Sequence, residues 1–185
     1  MAVGILALQG AFAEHAAVLD KLGVSHFEIR QKRDLDQPMN GLIIPGGEST
    51  VMNKLLRELD LYDTLREQIQ NGLPVFGTCA GLILLAKQID GGIPCFSVMD
   101  IRVKRNAYGR QLGSFHTKGQ VAGIDGEVPL TFIRAPRIVK VHGNAKALAE
   151  VDGRIVAARQ GNQLGVTFHP ELDDDTRLHE LFLQM

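Results

Sequence analysis

The chain has 185 residues, 45% of them hydrophobic, and a formal net charge of −1. That length suits a single domain spanning residues 1–185 with a sizeable buried core, and the balanced charge excludes the basic footprint of a nucleic-acid binder. No apolar run reaches membrane-spanning length, residues 1–8 lack the charged start of a signal peptide, and two cysteines cannot build a disulfide framework, so a reducing, cytoplasmic setting is expected.

In chain order, residues 3–8 form an apolar run bounded by Gln9-Gly10, the pattern of a strand buried on both faces. Residues 12–22 place Ala16, Leu19 and Leu22 at helical spacing, and Gly23 closes the helix. Residues 24–29 alternate and predict a second strand, whereas residues 32–40 are polar, contain Pro38 and read as loop. Gly41-Leu42-Ile43-Ile44 is a third strand; it ends in Pro45-Gly46-Gly47-Glu48-Ser49-Thr50, and residues 51–59 and 62–70 then read as helices. Pro74-Val75-Phe76 opens a fourth strand that turns at Gly77-Thr78-Cys79-Ala80-Gly81 into a helical apolar pattern running to Ala86. This rhythm predicts parallel strands with crossover helices in a doubly wound sheet, whose sites lie beyond the carboxyl ends of the strands. Gly46-Gly47 and Cys79 both fall there.

Beyond Gly91-Gly92 the pattern changes. Residues 100–104, 119–122, 129–134, 138–141, 154–159 and 163–168 are short strand-like runs between Gly and Asn turns, predicting a β-rich, partly antiparallel second half. Residues 173–183 read as a final helix with acidic residues in its first turn.

Gly77-Thr78-Cys79-Ala80-Gly81 is the G-x-S-x-G nucleophile elbow with Cys in place of Ser. A nucleophile on a sharp strand-to-helix turn crowds its neighbours, and glycine at each flank removes the clash. The start of the following helix favours a thiolate and can receive an oxyanion. A buried Cys in a plain strand-turn-helix is the competing reading.

Phe168-His169-Pro170-Glu171 supplies the partners. In extended chain, residues i and i+2 point the same way, and Pro170 keeps the residue before it extended. His169 and Glu171 are therefore expected side by side at a strand end, giving nucleophile, base and orienting acid with Cys79. His15, His26, His142 and His179 have no comparable sequence context. Gly46-Gly47-Glu48-Ser49 is either a glycine turn into a helix or an oxyanion-hole loop, in which the Gly47 N–H works with that of Ala80. Neither a phosphate-loop motif nor a Cys/His cluster at metal-ligand spacing occurs, so no cofactor or metal is expected.

These three stretches together resemble the class I, triad-type glutamine amidotransferases. Leu8-Gln9-Gly10-Ala11-Phe12, residues 104–111 and Phe132-Ile133-Arg134-Ala135-Pro136 are similar, more closely, to the glutaminases of pyridoxal 5′-phosphate synthases. The resemblance runs nearly end to end. It implies a flavodoxin-like α/β fold, with a doubly wound mixed sheet and helices on both faces. It also implies hydrolysis of L-glutamine to glutamate and ammonia, and a synthase partner that consumes the ammonia in a hetero-oligomer. Carried over by position, Cys79, His169 and Glu171 are the triad. Gly47, Glu48 and Ser49 line the glutamine site with Arg105, Ile133 and Arg134, the two arginines facing an α-carboxylate. One departure is His116-Thr117, where the family has an acidic residue; the segment is read as a divergent loop.

Other readings stay open at this point. A different amidotransferase subunit would share the triad, a Cys-elbow hydrolase or redox-stress protein would share only the elbow, and a binding subunit would lack part of the triad. Because the glutaminase motifs occupy the whole sequence, an ammonia acceptor is expected on another chain.

Overall fold

The computed structural model describes residues 1–106 and 113–185. Twelve strands are described: β1 (Ala2–Leu6), β2 (Ser25–Ile29), β3 (Gly41–Ile44), β4 (Val75–Thr78), β5 (Ala86–Asp90), β6 (Met99–Lys104), β7 (Ser114–Gln120), β8 (Glu127–Ile133), β9 (Arg137–Val141), β10 (Lys146–Val151), β11 (Arg154–Gln160) and β12 (Gln163–Val166). The helices are α1 (Phe12–Lys21), α2 (Ser49–Glu58), α3 (Tyr62–Gln70), α4 (Ala80–Leu85) and α5 (Arg177–Leu183).

The main sheet runs β2-β1-β3-β4-β12-β11-β9-β6-β5, with β10 paired to β11. Its first five strands are parallel in the order of a flavodoxin-like sheet, β12 serving as the fifth. From β11 onward the pairing becomes mixed: β11 is antiparallel to β12 and β9, and β9 to β6. The doubly wound mixed sheet expected from the sequence is therefore present. β7 and β8 form a separate antiparallel pair.

Two apolar cores divide the faces by the two-residue alternation of a strand. Leu42 and Ile44 of β3 pack with Met52 and Leu56 of α2 and Leu65 and Ile69 of α3. Val3, Ile5 and Ile43 pack on the other side with Leu19 of α1, Leu178 and Phe182 of α5, and Val128, Leu130 and Phe132 of β8. Helices thus cover both faces. Phe182 lies 5.7 Å from Phe76, centroid to centroid, and so anchors α5 beneath the elbow strand. Truncating a buried aromatic of this kind costs about 3–5 kcal/mol.

Several local expectations are corrected. The apolar pattern after Cys79 is a helix only to Leu85; Ala86–Asp90 is strand β5, because its pairing with β6 overrides a run that carries no helix-stop residue. β10 was not expected, and β7 occupies Ser114–Gln120 rather than 119–122. A 3-10 turn, Lys32–Asp36, lies in the polar segment read as loop. The final helix starts at Arg177, so the acidic residues 173–175 precede it. Among the described residues no helix is long and apolar enough to cross a membrane.

Candidate active site

β4 delivers Cys79 to the carboxyl edge of the sheet with φ +50° and ψ −103°, a backbone state a non-glycine residue rarely takes. The flanking glycines make that turn possible. A Cβ on Gly77 would fall 2.7 Å from the Gly81 carbonyl carbon, and one on Gly81 would fall 1.9 Å from the Ile44 carbonyl oxygen. Contacts that close with rigid backbone cannot relax. The Cys79 N–H donates to the Val166 carbonyl at 2.9 Å, which ties the elbow to the end of β12.

β12 stops at Val166, three residues short of His169, so the expected strand end is corrected. His169 instead precedes a 3-10 turn, Pro170–Leu172, and that turn swings Glu171 back beneath the imidazole. His169 Nδ1 lies 2.6 Å from Glu171 Oε1. The His169 N–H donates to the Thr131 carbonyl of β8 at 2.8 Å, which fixes the ring from the other side. Gly46 sits against both reacting groups: a Cβ there would be 2.4 Å from His169 Cε1 and 3.3 Å from Cys79 Cβ.

Burial alone would lower the His169 pKa. Hydrogen bonding and charge interaction with Cys79 and Glu171 outweigh it and raise the group to about 10. The imidazole therefore keeps its proton through the neutral range. Cys95 has the opposite character. It is buried and does not line the cavity over Cys79, and desolvation pushes its thiol up to about 12.

A cavity of about 390 Å³ opens over Cys79, a size suited to a small metabolite. Its lining includes Cys79 and His169 with the predicted Gly47, Glu48, Ser49, Ala80, Arg105, Ile133 and Arg134. Ile83, Asn106 and Pro136 also line it and were not anticipated. Glu171 lies behind His169, its side chain fully buried. The Gly46-Gly47-Glu48 loop is held by Gln9, whose Oε1 accepts from the Glu48 N–H at 2.7 Å, and by the Ala11 N–H, which donates to the Gly46 carbonyl at 3.0 Å.

Glu48 caps α2, accepting from the Val51 N–H at 3.0 Å and from the Thr50 hydroxyl. The Thr50 bond, then Val51 and Arg105, hold its carboxyl below the usual range against the opposing effect of burial. Arg105 Nη2 lies 3.0 Å from Glu48 Oε1, so that guanidinium reaches the cavity already paired. Arg134 has φ +45°, and its N–H donates to the Gly113 carbonyl. Of the segment 104–111, residues 107–111 lie outside the described residues.

The departure at His116 is not a loop. His116 lies in β7 opposite Thr131 of β8, with Nδ1 2.9 Å from Thr131 Oγ1, and that hydroxyl donates to Asp173 at 2.9 Å. The histidine joins the polar group around the residue that receives the His169 N–H. Two further histidines escaped the sequence reading. His15 of α1 and His179 of α5 are fully buried behind Glu171. Their contacts link residues 63 and 164 positions apart, so no local signal marks them.

Comparison with known proteins identifies the family. The model of the SNO glutamine amidotransferase family matches residues 5–185. The chain is similar to the pyridoxal 5′-phosphate synthase subunit PdxT of Methanocorpusculum labreanum, at 59% identity over all of this chain and 97% of that one. A protein of the same name from Desulfitobacterium hafniense is 54% identical over 99% of this chain and 92% of its own. A crystal structure described as a glutamine amidotransferase superposes with a TM-score of 0.93 at 44% identity, covering 98% of this chain and 97% of that one. A glutamine amidotransferase from Thermotoga maritima shares the fold at a TM-score of 0.65 and 16% identity, covering 99% of this chain and 82% of that one.

Proposed function

Because this chain belongs to the SNO glutamine amidotransferase family, we propose that it is the glutaminase subunit of a pyridoxal 5′-phosphate synthase. It hydrolyses L-glutamine to L-glutamate and ammonia and delivers the ammonia to a synthase subunit in a cytoplasmic hetero-oligomer. Residues 1–185 act as one catalytic unit. The observation that supports this reading best is Cys79, held at positive φ over the cavity with the His169–Glu171 pair behind it.

Glutamine enters with its side-chain carboxamide at Cys79. Sγ attacks the carboxamide carbon, and the carbonyl electron pair moves onto oxygen. The N–H groups of Gly47 and Ala80 receive that oxyanion, each worth about 3–4 kcal/mol in a comparable acyl-transfer site. His169 gives its proton to the departing nitrogen, and ammonia leaves a thioester on Cys79. His169, now neutral, takes a proton from water as the water oxygen attacks the thioester. Glutamate departs and the sulfur is freed with the proton again on His169. Glu171 holds the imidazole through Nδ1 and stabilises its charged form. Glu48, Ser49, Ile133, Arg105 and Arg134 shape the glutamine site. Among the described lining residues, Arg134 is the arginine without an ion pair and is placed to meet the α-carboxylate, while Arg105 is poised through Glu48.

The test is steady-state glutamate formation during titration with the cognate synthase subunit, with sedimentation of the same mixtures. Weak activity alone and a substantial rise on complex formation are expected. No complex and no change in rate would assign the chain to a different ammonia acceptor.

A further inference from the structure

Behind the triad lies a buried polar chain that the reaction described above does not use. His15 Nε2 is 3.1 Å from Thr78 Oγ1 and 3.6 Å from Glu171 Oε2, while His15 Nδ1 is 2.8 Å from His179 Nε2. Glu171 spends Oε1 on His169, and among the described residues its buried Oε2 makes no hydrogen bond. The tautomers follow from these contacts. A bare His15 Nε2 lone pair facing the carboxylate would be repelled, so Nε2 carries the proton. His15 Nδ1 then accepts from His179 Nε2–H, and His179 Nδ1, which has no partner among the described residues, is left as a bare acceptor. An orphaned acceptor is the less costly group to bury. The groups facing His15 are thus His179 from α5, Thr78 from β4 and Glu171 from the 3-10 turn, with His169 beyond it. Burial, then His179, then His169 keep His15 neutral.

We propose that His15, fixed by Thr78 and His179, is a positioning residue for the glutaminase reaction: its Nε2–H, at hydrogen-bonding distance from Thr78 Oγ1, presents its positive end to Glu171 Oε2 3.6 Å away and so holds Oε1 on His169. His179 sets the tautomer of His15. The chain therefore reaches from Cys79 through His169, Glu171 and His15 to His179, and couples the first and last helices to the site. The inference rests on the proposed glutaminase function and deepens it.

The shapes of the amides provide the test. In place of His15, Gln sets a donor where Nε2 was, whereas Asn reaches only the Nδ1 position and leaves Oε2 without an N–H. Glutamate formation is measured with saturating synthase subunit for wild type, His15→Asn and His15→Gln, together with their thermal unfolding. His15→Asn is expected to lower kcat about tenfold or more with KM changed less than about twofold, and His15→Gln to recover most of kcat. His179→Leu and His179→Gln form a second pair with the same ordering, readable even where His15→Asn does not fold. The proposal is overturned when the Asn variant keeps wild-type kcat, or when Gln and Asn variants lose activity alike in step with their stability. Inactive wild type overturns the glutaminase reading itself, a result distinct from active wild type with indifferent variants.

Discussion

His169 Nδ1 sits 2.6 Å from Glu171 Oε1, and a turn rather than a strand brings them together. In the proposed mechanism Glu171 orients and stabilises, whereas His169 moves protons. His169→Asn should cost about 10⁴-fold or more in kcat, because base and acid vanish together. Glu171→Gln should cost about a hundredfold less than that, and the double variant should resemble His169→Asn alone, since triad members act as a unit. Single-turnover kinetics showing Glu171→Gln as the worse variant would reverse the roles.

The two thiols differ in kind. Cys79 lines the cavity, while Cys95 is buried with its thiol pushed up to about 12. Brief alkylation of the native protein near neutral pH should modify Cys79 and leave Cys95 untouched until the chain is unfolded, as read by peptide mass spectrometry. Cys95→Ser should stay active.

Gly46 stands where a methyl group would meet His169. Gly46→Ala should cut glutaminase kcat by about a hundredfold or more, with a smaller loss of stability of about 1–3 kcal/mol as the loop shifts. Chemical denaturation beside the rate assay separates the two effects. Normal kcat would mean that the ring has room which the 2.4 Å approach does not allow.

Stability should peak between two titrations of opposite sense. Burial first of all lowers His15 well below 6.5 and His179 to about 4, so both stay neutral in the fold while the unfolded chain takes up protons. Their contribution is present above the unfolded pKa of 6.5 and is lost as pH falls below it. His169 is raised to about 10; its contribution is complete below 6.5 and disappears as pH climbs through 10. Denaturant midpoints across this range should fall on both sides of neutrality. The acid limb should flatten in His179→Gln and the alkaline limb in His169→Asn. An unchanged acid limb in the former would show that His179 does not set the acid transition.

Much of this site was legible because its parts are local. The glycines flanking Cys79 lie within five residues in a recognisable spacing, although Gly81 answers to a tertiary clash with Ile44, and His169-Pro170-Glu171 places base and carboxylate two residues apart. The strand rhythm up to β4 was equally plain, since short apolar runs alternate with helical patterns and are set off by Gln9-Gly10, the polar residues 32–40 and Pro45-Gly46-Gly47. Strand β5 was hidden because Lys87-Gln88-Ile89-Asp90 holds a single apolar residue and so shows no strand alternation. His15 and His179 acquire meaning only when α1 and α5 meet behind Glu171, a contact 164 residues long in sequence. The ion pair of Arg105 with Glu48 likewise arises from tertiary placement and not from either motif.

In the proposed reaction glutamine is opened by Cys79 through a thioester. The most direct measurement is the intact mass of the protein in complex with its synthase partner, acid-quenched during turnover of glutamine and mapped by peptide mass spectrometry. One glutamyl group is expected on Cys79 and none in Cys79→Ala, with accumulation in Glu171→Gln where hydrolysis slows more than acylation. Undiminished glutamate formation by Cys79→Ala, with no adduct on any residue of the wild type, would contradict it.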